Sequence, residues 1–330
     1  MVFSVHLQRS AVIAIVNCSV HGQFNGFRSL KQVALQSIWL FQEPPCTEIL
    51  RLPIGQKAQL EIALYCKFHQ DDVMAHILKV KSDLLNLRQS PEIKDGNIII
   101  TLFMGHEVEV IDGSPEKRFW EVRTTVNGSD LIGFVSAAYL RELVSAKRED
   151  LIGMAIKEWL RFDRGNKFEY EDPQYRFVGE YWSNLGSKLD GRDRDTPWSA
   201  AFISFVAKSA GYINFKFAPA HSTYVVDAVD QRRASNSSAD FWAFEVSERK
   251  PTLGDLVCRS RGGLSIESMA SLPRGGFKSH CDIVVEVKDA EVRTLGGNVN
   301  QSVSVTTYPL DNSGFLRKVK NVYGLLGNNH

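Results

Sequence analysis

The chain has 330 residues, which at about 150 residues per domain leaves room for two domains or three small ones. Its 39 Lys and Arg against 38 Asp and Glu give a net charge of +1, so no broad electrostatic pull toward nucleic acid or an anionic membrane is expected. A hydrophobic share of 44% with 23% charged residues excludes a mostly disordered chain, and no apolar run approaches the ~18 residues of a membrane span.

Residues 1–80 mix apolar runs with polar breaks and form an unassigned, partly helical segment. Arg9 before the run Ala11–Val16 is a weak echo of a secretory signal, without a clean small-residue cleavage site after it. Leu30, Val33, Ala34, Ile38 and Phe41 recur near helical spacing, which predicts a helix over 29–42 that ends at Pro44-Pro45. A second helix is expected over 71–84. No chemical motif is found in this part.

Residues 84–142 change texture. Val108-Glu109-Val110, Phe119-Trp120-Glu121-Val122 and Ile132-Gly133-Phe134-Val135 are short segments cut by Asp112-Gly113 and Asn127-Gly128. Asp-Gly and Asn-Gly favour tight hairpin turns, so a small antiparallel all-β barrel is expected.

From residue 150 to 325 the pattern is α+β. Leu151, Met154, Ala155, Glu158 and Trp159 predict a helix over 151–162, and a second is expected near 197. Strands are expected at 255–258, 282–287, 291–295, 303–308 and 316–323.

The chemistry concentrates in the second of those helices. Thr196 is a good N-cap, Pro197 a good first residue and Gly211 a good stop, which puts Ser199 at the third position of a helix apolar on nearly every side. A hydroxyl there lies at the positive end of the helix dipole, among backbone N–H groups free to receive an oxyanion. Downstream, alternation along Ser279–Val285 sends His280, Asp282 and Val284 to one face and Cys281, Ile283 and Val285 to the other. His280 is then the candidate base, and Asn298, after Gly296-Gly297, the candidate to orient it; Asp282 is the rival orienter. Trp198, His221 and Tyr224 are candidate substrate contacts, with His221 also an alternative base or a structural histidine. Glu169, Glu171 and Asp172 read as a solvated acidic cluster.

The five cysteines, Cys18, Cys46, Cys66, Cys258 and Cys281, contain no CxxC pair, and there is no phosphate loop. Neither a metal nor a cofactor is expected. Cys258 and Cys281 read as buried, inert thiols.

Two resemblances add to this. Leu85-Asn86-Leu87-Arg88, Pro91, Gly105, Trp120, Gly133-Phe134-Val135 and Tyr139-Leu140 resemble the bacterial SH3 pattern, with Phe134 where that family usually has Trp. The helix-borne nucleophile, Gly254-Asp255-Leu256-Val257, the His280 strand and Gly296-Gly297-Asn298 resemble the papain-like NlpC/CHAP amidase-peptidase superfamily. Those proteins carry Cys where this chain has Ser199. Val178–Trp182, Thr196–Ser204, His221 with Tyr224, and Ser279–Val284 look more closely like the bacterial family called domain of unknown function 2272. The resemblances imply a papain-like α+β domain behind an SH3-like barrel, with peptidoglycan or a wall peptide as partner and the cell envelope or the exterior as location. They leave two functions open: hydrolysis of a wall amide bond through Ser199, or binding of the wall peptide without cleavage. Delivery of a cytoplasmic chain by a specialised secretion system is a third possibility.

Overall fold

A computed structural model describes two strands at 49–53 and 59–63 and residues 75–330 apart from 274 and 320. The helix expected over 29–42 lies outside the described residues. The chain divides into two units, 1–74 and 75–330. In the first, β1 (Ile49–Pro53) and β2 (Gln59–Ala63) pair antiparallel.

The second unit opens with seven strands: β3 (Ile77–Val80), β4 (Leu84–Arg88), β5 (Ile98–Phe103), β6 (Glu107–Asp112), β7 (Phe119–Val126), β8 (Ser129–Ser136) and β9 (Leu140–Arg141). They form one antiparallel sheet in the order β5-β4-β8-β7-β6-β3-β9. The helix expected over 71–84 is therefore corrected. Ile77-Leu78-Lys79-Val80 alternates inward and outward and pairs with β6 and β9, because sheet neighbours overrule a weak helical period. Asn127 and Gly128 both have positive φ, at 52° and 78°, as a two-residue turn between β7 and β8 requires. Leu78, Val80, Leu85, Leu87, Leu102, Val108, Val122, Val135 and Leu140 form this sheet's own core.

Four helices follow: α1 (Ala146–Arg161), α2 (Gln174–Ser183), α3 (Ser199–Ser209) and α4 (His221–Arg233). The Ser145 hydroxyl caps α1 by accepting from the Arg148 amide. The last six strands are β10 (Phe241–Phe244), β11 (Leu256–Ser260), β12 (Ser279–Val287), β13 (Glu291–Val299), β14 (Ser302–Pro309) and β15 (Val322–Asn328). They make a second antiparallel sheet, ordered β10-β15-β11-β12-β13-β14. The main core joins this sheet to the helices: Trp159, Phe162, Tyr181, Trp198, Phe202 and Val206 pack with Cys281, Ile283, Val285 and Leu295. A smaller cluster, including Val257, Val284, Val292, Tyr308 and Leu325, forms a separate core.

The two sheets meet through α1 and β13. Glu149 on α1 accepts from Arg141 on β9 at 2.6 and 2.9 Å, and Lys79 lies 3.1 Å away. Arg293 on β13 donates to Asp83 at 2.5 Å.

Candidate active site

The N-termini of α3 and α4 come together, and each begins on a polar side chain. Ser199 is the first residue of α3, with Trp198 as its N-cap, so the predicted cap at Thr196 and the third helical position of Ser199 are both corrected. Pro197 fits just ahead of the helix rather than inside it. The first helical bond runs from Phe202 N to Trp198 O at 3.0 Å, so the amides of Ser199, Ala200 and Ala201 lack an acceptor within the helix. His221 is likewise the first residue of α4.

Ser199 Oγ lies 2.6 Å from His221 Nε2. His221 Nδ1 hydrogen-bonds the Tyr224 hydroxyl, three residues on along the same helical face. One tautomer satisfies the row: Ser199 donates to Nε2, and Nδ1–H donates to the tyrosine oxygen. Burial pushes His221 well below its usual 6.5, and His280, Arg261 and Arg259 add to the shift. The positive end of α4 acts in the same direction. His221 is thus a neutral imidazole whose acceptor nitrogen holds a serine hydroxyl.

A second row runs along the sheet. His280 Nε2 donates to Asp282 Oδ1 at 2.6 Å, and Tyr308 donates to Asp282 Oδ2 at 2.7 Å. Arg259 Nε lies 4.0 Å from the same carboxylate. Burial opposes the charge on Asp282, yet His280, Tyr308 and Arg259 together hold its carboxyl below the usual range. His280 is also lowered, by burial first, against the opposing pull of Asp282. With Nε2 engaged, Nδ1 of His280 is fully buried and has no hydrogen-bond partner. The rings of His280 and His221 stand 5.2 Å apart, so the two rows meet ring to ring.

The expected orienter is corrected. Asp282, not Asn298, holds His280. Asn298 lies near the end of β13, at a register shift in the pairing with β14, with φ 55°, and its carbonyl accepts from Arg261 at 3.2 Å. The Gly-Gly before it serves the site by being small. A Cβ on Gly296 would lie 1.8 Å from Asp282 Oδ1, and one on Gly297 would lie 2.5 Å from Phe202 Cβ. Period-2 alternation does put His280 and Asp282 on one face, as expected.

Trp198 and Tyr224, the expected substrate contacts, are both buried in the core. Trp198 stacks on Phe162 at 5.9 Å and donates its indole N–H to Glu169 at 2.5 Å. Glu169 accordingly leaves the expected solvated cluster; burial raises its pKa. Sequence reasoning missed Tyr308, Arg259 and Arg261. Arg259 pairs with His280 across β11 and β12 and could have been suspected from that register alone; Arg261 follows just beyond β11. Nothing in the sequence ties Tyr308 to Asp282. His221 is the alternative base of the sequence reading, ranked behind His280, and it is the histidine that hydrogen-bonds Ser199; the signal is its spacing to Tyr224.

A groove of about 450 Å³ runs beside α4, and none of Ser199, His221, His280 and Asp282 lines it. Ser222 and Thr223, which follow His221, form part of one wall, and Met269, Ala270, Leu272 and Pro273 form another. Among the described residues no group of three His, Cys, Asp or Glu is arranged to hold a metal ion. No described helix is long and apolar enough to cross a membrane.

No curated protein matches the chain. The structure of NlpC2 from Trichomonas vaginalis is similar over 82% of this chain and 74% of that one, at 8% identity and a TM-score of 0.26, a likeness too slight to carry a role across. Residues 169–323, which hold Ser199, His221, His280 and Asp282, match the family described as "Uncharacterized protein conserved in bacteria (DUF2272)".

Proposed function

We propose that the chain is an amide hydrolase of bacterial cell-wall peptides, with Ser199 as nucleophile and His221 as its base. The observation that carries this is the 2.6 Å contact between Ser199 Oγ and a neutral, buried imidazole at the start of a helix. A serine needs such a base because its hydroxyl is a weak nucleophile by itself. In the reaction His221 Nε2 takes the hydroxyl proton as Oγ bonds to the amide carbon. The oxyanion forms beside the unpaired amides at the start of α3. Its collapse breaks the C–N bond, and the leaving amine takes the proton from His221. Water then cleaves the acyl-serine ester, with His221 again as base, and restores Ser199. Tyr224 keeps Nδ1 protonated and the ring in place. His280, held by Asp282, presents its bare Nδ1 as an acceptor for a substrate N–H or a water.

The wall-peptide substrate is supported by the resemblance of residues 150–325 to the papain-like NlpC/CHAP superfamily and of 84–142 to the bacterial SH3 pattern. On this reading the seven-stranded unit is an SH3-like barrel that holds the wall while the second domain works on it, and the protein acts in the envelope or outside the cell. Arg259 and Arg261, whose charges act on His221, suit a peptide carrying a free carboxylate.

Incubation of the protein with purified sacculi should release soluble peptides, identified by mass. Ser199→Ala should abolish release, and Ser199→Cys should keep it. Equal release by Ser199→Ala removes the serine from the mechanism. A second reading, binding without cleavage, is favoured by the burial of Ser199, only 2% exposed. Sedimentation with sacculi and an unchanged peptide profile would establish it instead.

A further inference from the structure

Cys258 and Cys281 were expected to be separate inert thiols. They stand directly opposite each other on β11 and β12, both fully buried, with their sulfurs 3.1 Å apart. Backbone bonds on either side fix the kind of pair they form. Val284 N donates to Asp255 O, and Arg261 N donates to Lys278 O. The register between them is unbroken, so the bonded positions of this strand pair are the odd ones of β11. Cys258 is then at a non-hydrogen-bonded position, where paired Cα atoms come to about 4.5 Å. That lies within the ~4.4–6.8 Å a disulfide can span.

We propose that Cys258 and Cys281 form a disulfide when the chain folds in an oxidising compartment. The thiolate of one cysteine attacks a disulfide-bearing oxidant, and the mixed disulfide is then attacked by the other. Two S–H bonds are lost and one S–S bond forms; the two protons and two electrons pass to the oxidant, whose S–S bond breaks to give a pair of thiols. The reaction belongs to the folding chain. In the finished core both sulfurs are closed to solvent, and burial pushes the Cys258 thiol up, away from the reactive thiolate. The bond would tie Arg259 on β11 to His280 and Asp282 on β12, holding the strands that carry one side of the site. It would close a loop of about 23 residues, the segment that includes Met269 and the groove wall, and so restrict the unfolded chain.

This inference does not rest on the reaction assigned to Ser199, and its test does not read activity. The full chain is refolded from denaturant with a mixture of oxidised and reduced glutathione. It is then alkylated in denaturant without reductant, digested and read by mass. The expected result is a linked peptide joining Cys258 to Cys281, lighter by two hydrogens than its separate halves, with neither residue alkylated. The melting temperature should exceed that of the reduced protein by about 5 °C. Ser199→Ala should form the bond equally well, which separates its fate from that of the hydrolase reading. Full alkylation of both cysteines after refolding, or their pairing with Cys18, Cys46 or Cys66, overturns the proposal. Should a Cys258→Ala/Cys281→Ala variant fail to fold, the linked-peptide measurement on the unaltered chain still decides it.

Discussion

The two halves of the candidate site are built on the same plan and end differently. On the helix side, a buried histidine is backed by Tyr224 and faces a hydroxyl; on the sheet side, a buried histidine is backed by Asp282 and faces nothing. A carboxylate partner favours the protonated ring, whereas a tyrosine oxygen favours it only weakly. The sheet-side imidazole therefore has the stronger electrostatic support for becoming a cation. The helix-side imidazole has the serine hydroxyl. On the proposed hydrolase reading, that contact makes His221 the ring that takes the serine proton. Replacing His221 with Asn should lower wall-peptide release by about 10³-fold, within the range of a lost general base. Replacing His280 with Asn should lower it by about 10²-fold, because a positioned acceptor is lost while the Ser199 contact stays. The reverse ranking would hand the base role to His280 and make His221 a bystander held by Tyr224.

Acid should act on both halves at once. Each histidine has its folded pKa below the unfolded value near 6.5. Above pH 6.5 both states leave these rings neutral, so stability is unaffected there. As the pH falls below 6.5 the unfolded chain gains protons that the folded chain refuses, and stability drops by about 1.4 kcal/mol per pH unit for each ring. The melting temperature should hold level from pH 8 to 6.5 and fall from 6.5 to 5. His221→Asn should flatten part of that fall. Peptide release should follow the same sign, since the base must be neutral: constant above 6.5, with its midpoint lower. A midpoint above 6.5 would mean that one ring is charged in the folded protein, and the sheet-side ring, next to Asp282, would be the one.

How far the comparison could be read before folding depends on distance along the chain. The His280–Asp282 pair lies within one strand, and alternation alone puts both on one face. Ser199 at a helix start is likewise local, although the cap was misplaced by two residues because Thr196-Pro197 looks like a helix opening and serves as a lead-in. The Ser199–His221 contact joins two helix N-termini separated by the whole of α3 and the connection that follows it, and no spacing rule reports how two N-termini meet. Asn298 was chosen because it follows Gly296-Gly297, but those glycines make room for Asp282 and Phe202 rather than presenting the asparagine. Among the strands, Ile77–Val80 was read as helix because four residues are too few to show their period without the neighbours that pair with them. β10 was missed for the same reason.

The groups behind the two histidines allow a finer test. Tyr224→Phe removes the oxygen that accepts from His221 Nδ1 and leaves that N–H buried without a partner. One such loss costs about 1.4 kcal/mol, so release should fall by about 10-fold, mainly in kcat. A purely structural role for Tyr224 would lower the melting temperature and leave kcat alone.

Tyr308→Phe is the matching change on the sheet side and should do less. Asp282 would keep His280 at 2.6 Å and the nearby Arg259 charge, so the carboxylate stays ionised at neutral pH. The loss of one hydroxyl donor raises the Asp282 pKa toward its ordinary value without reaching the assay range. Release at pH 7 should then fall by about threefold at most, and the difference from the unaltered protein should widen only in acid, where Asp282 begins to take a proton. If Tyr308→Phe instead matches the loss seen with Tyr224→Phe at pH 7, the sheet-side row is as tightly coupled to the reacting bond as the helix-side row, and the contrast between them is one of geometry without consequence for the rate.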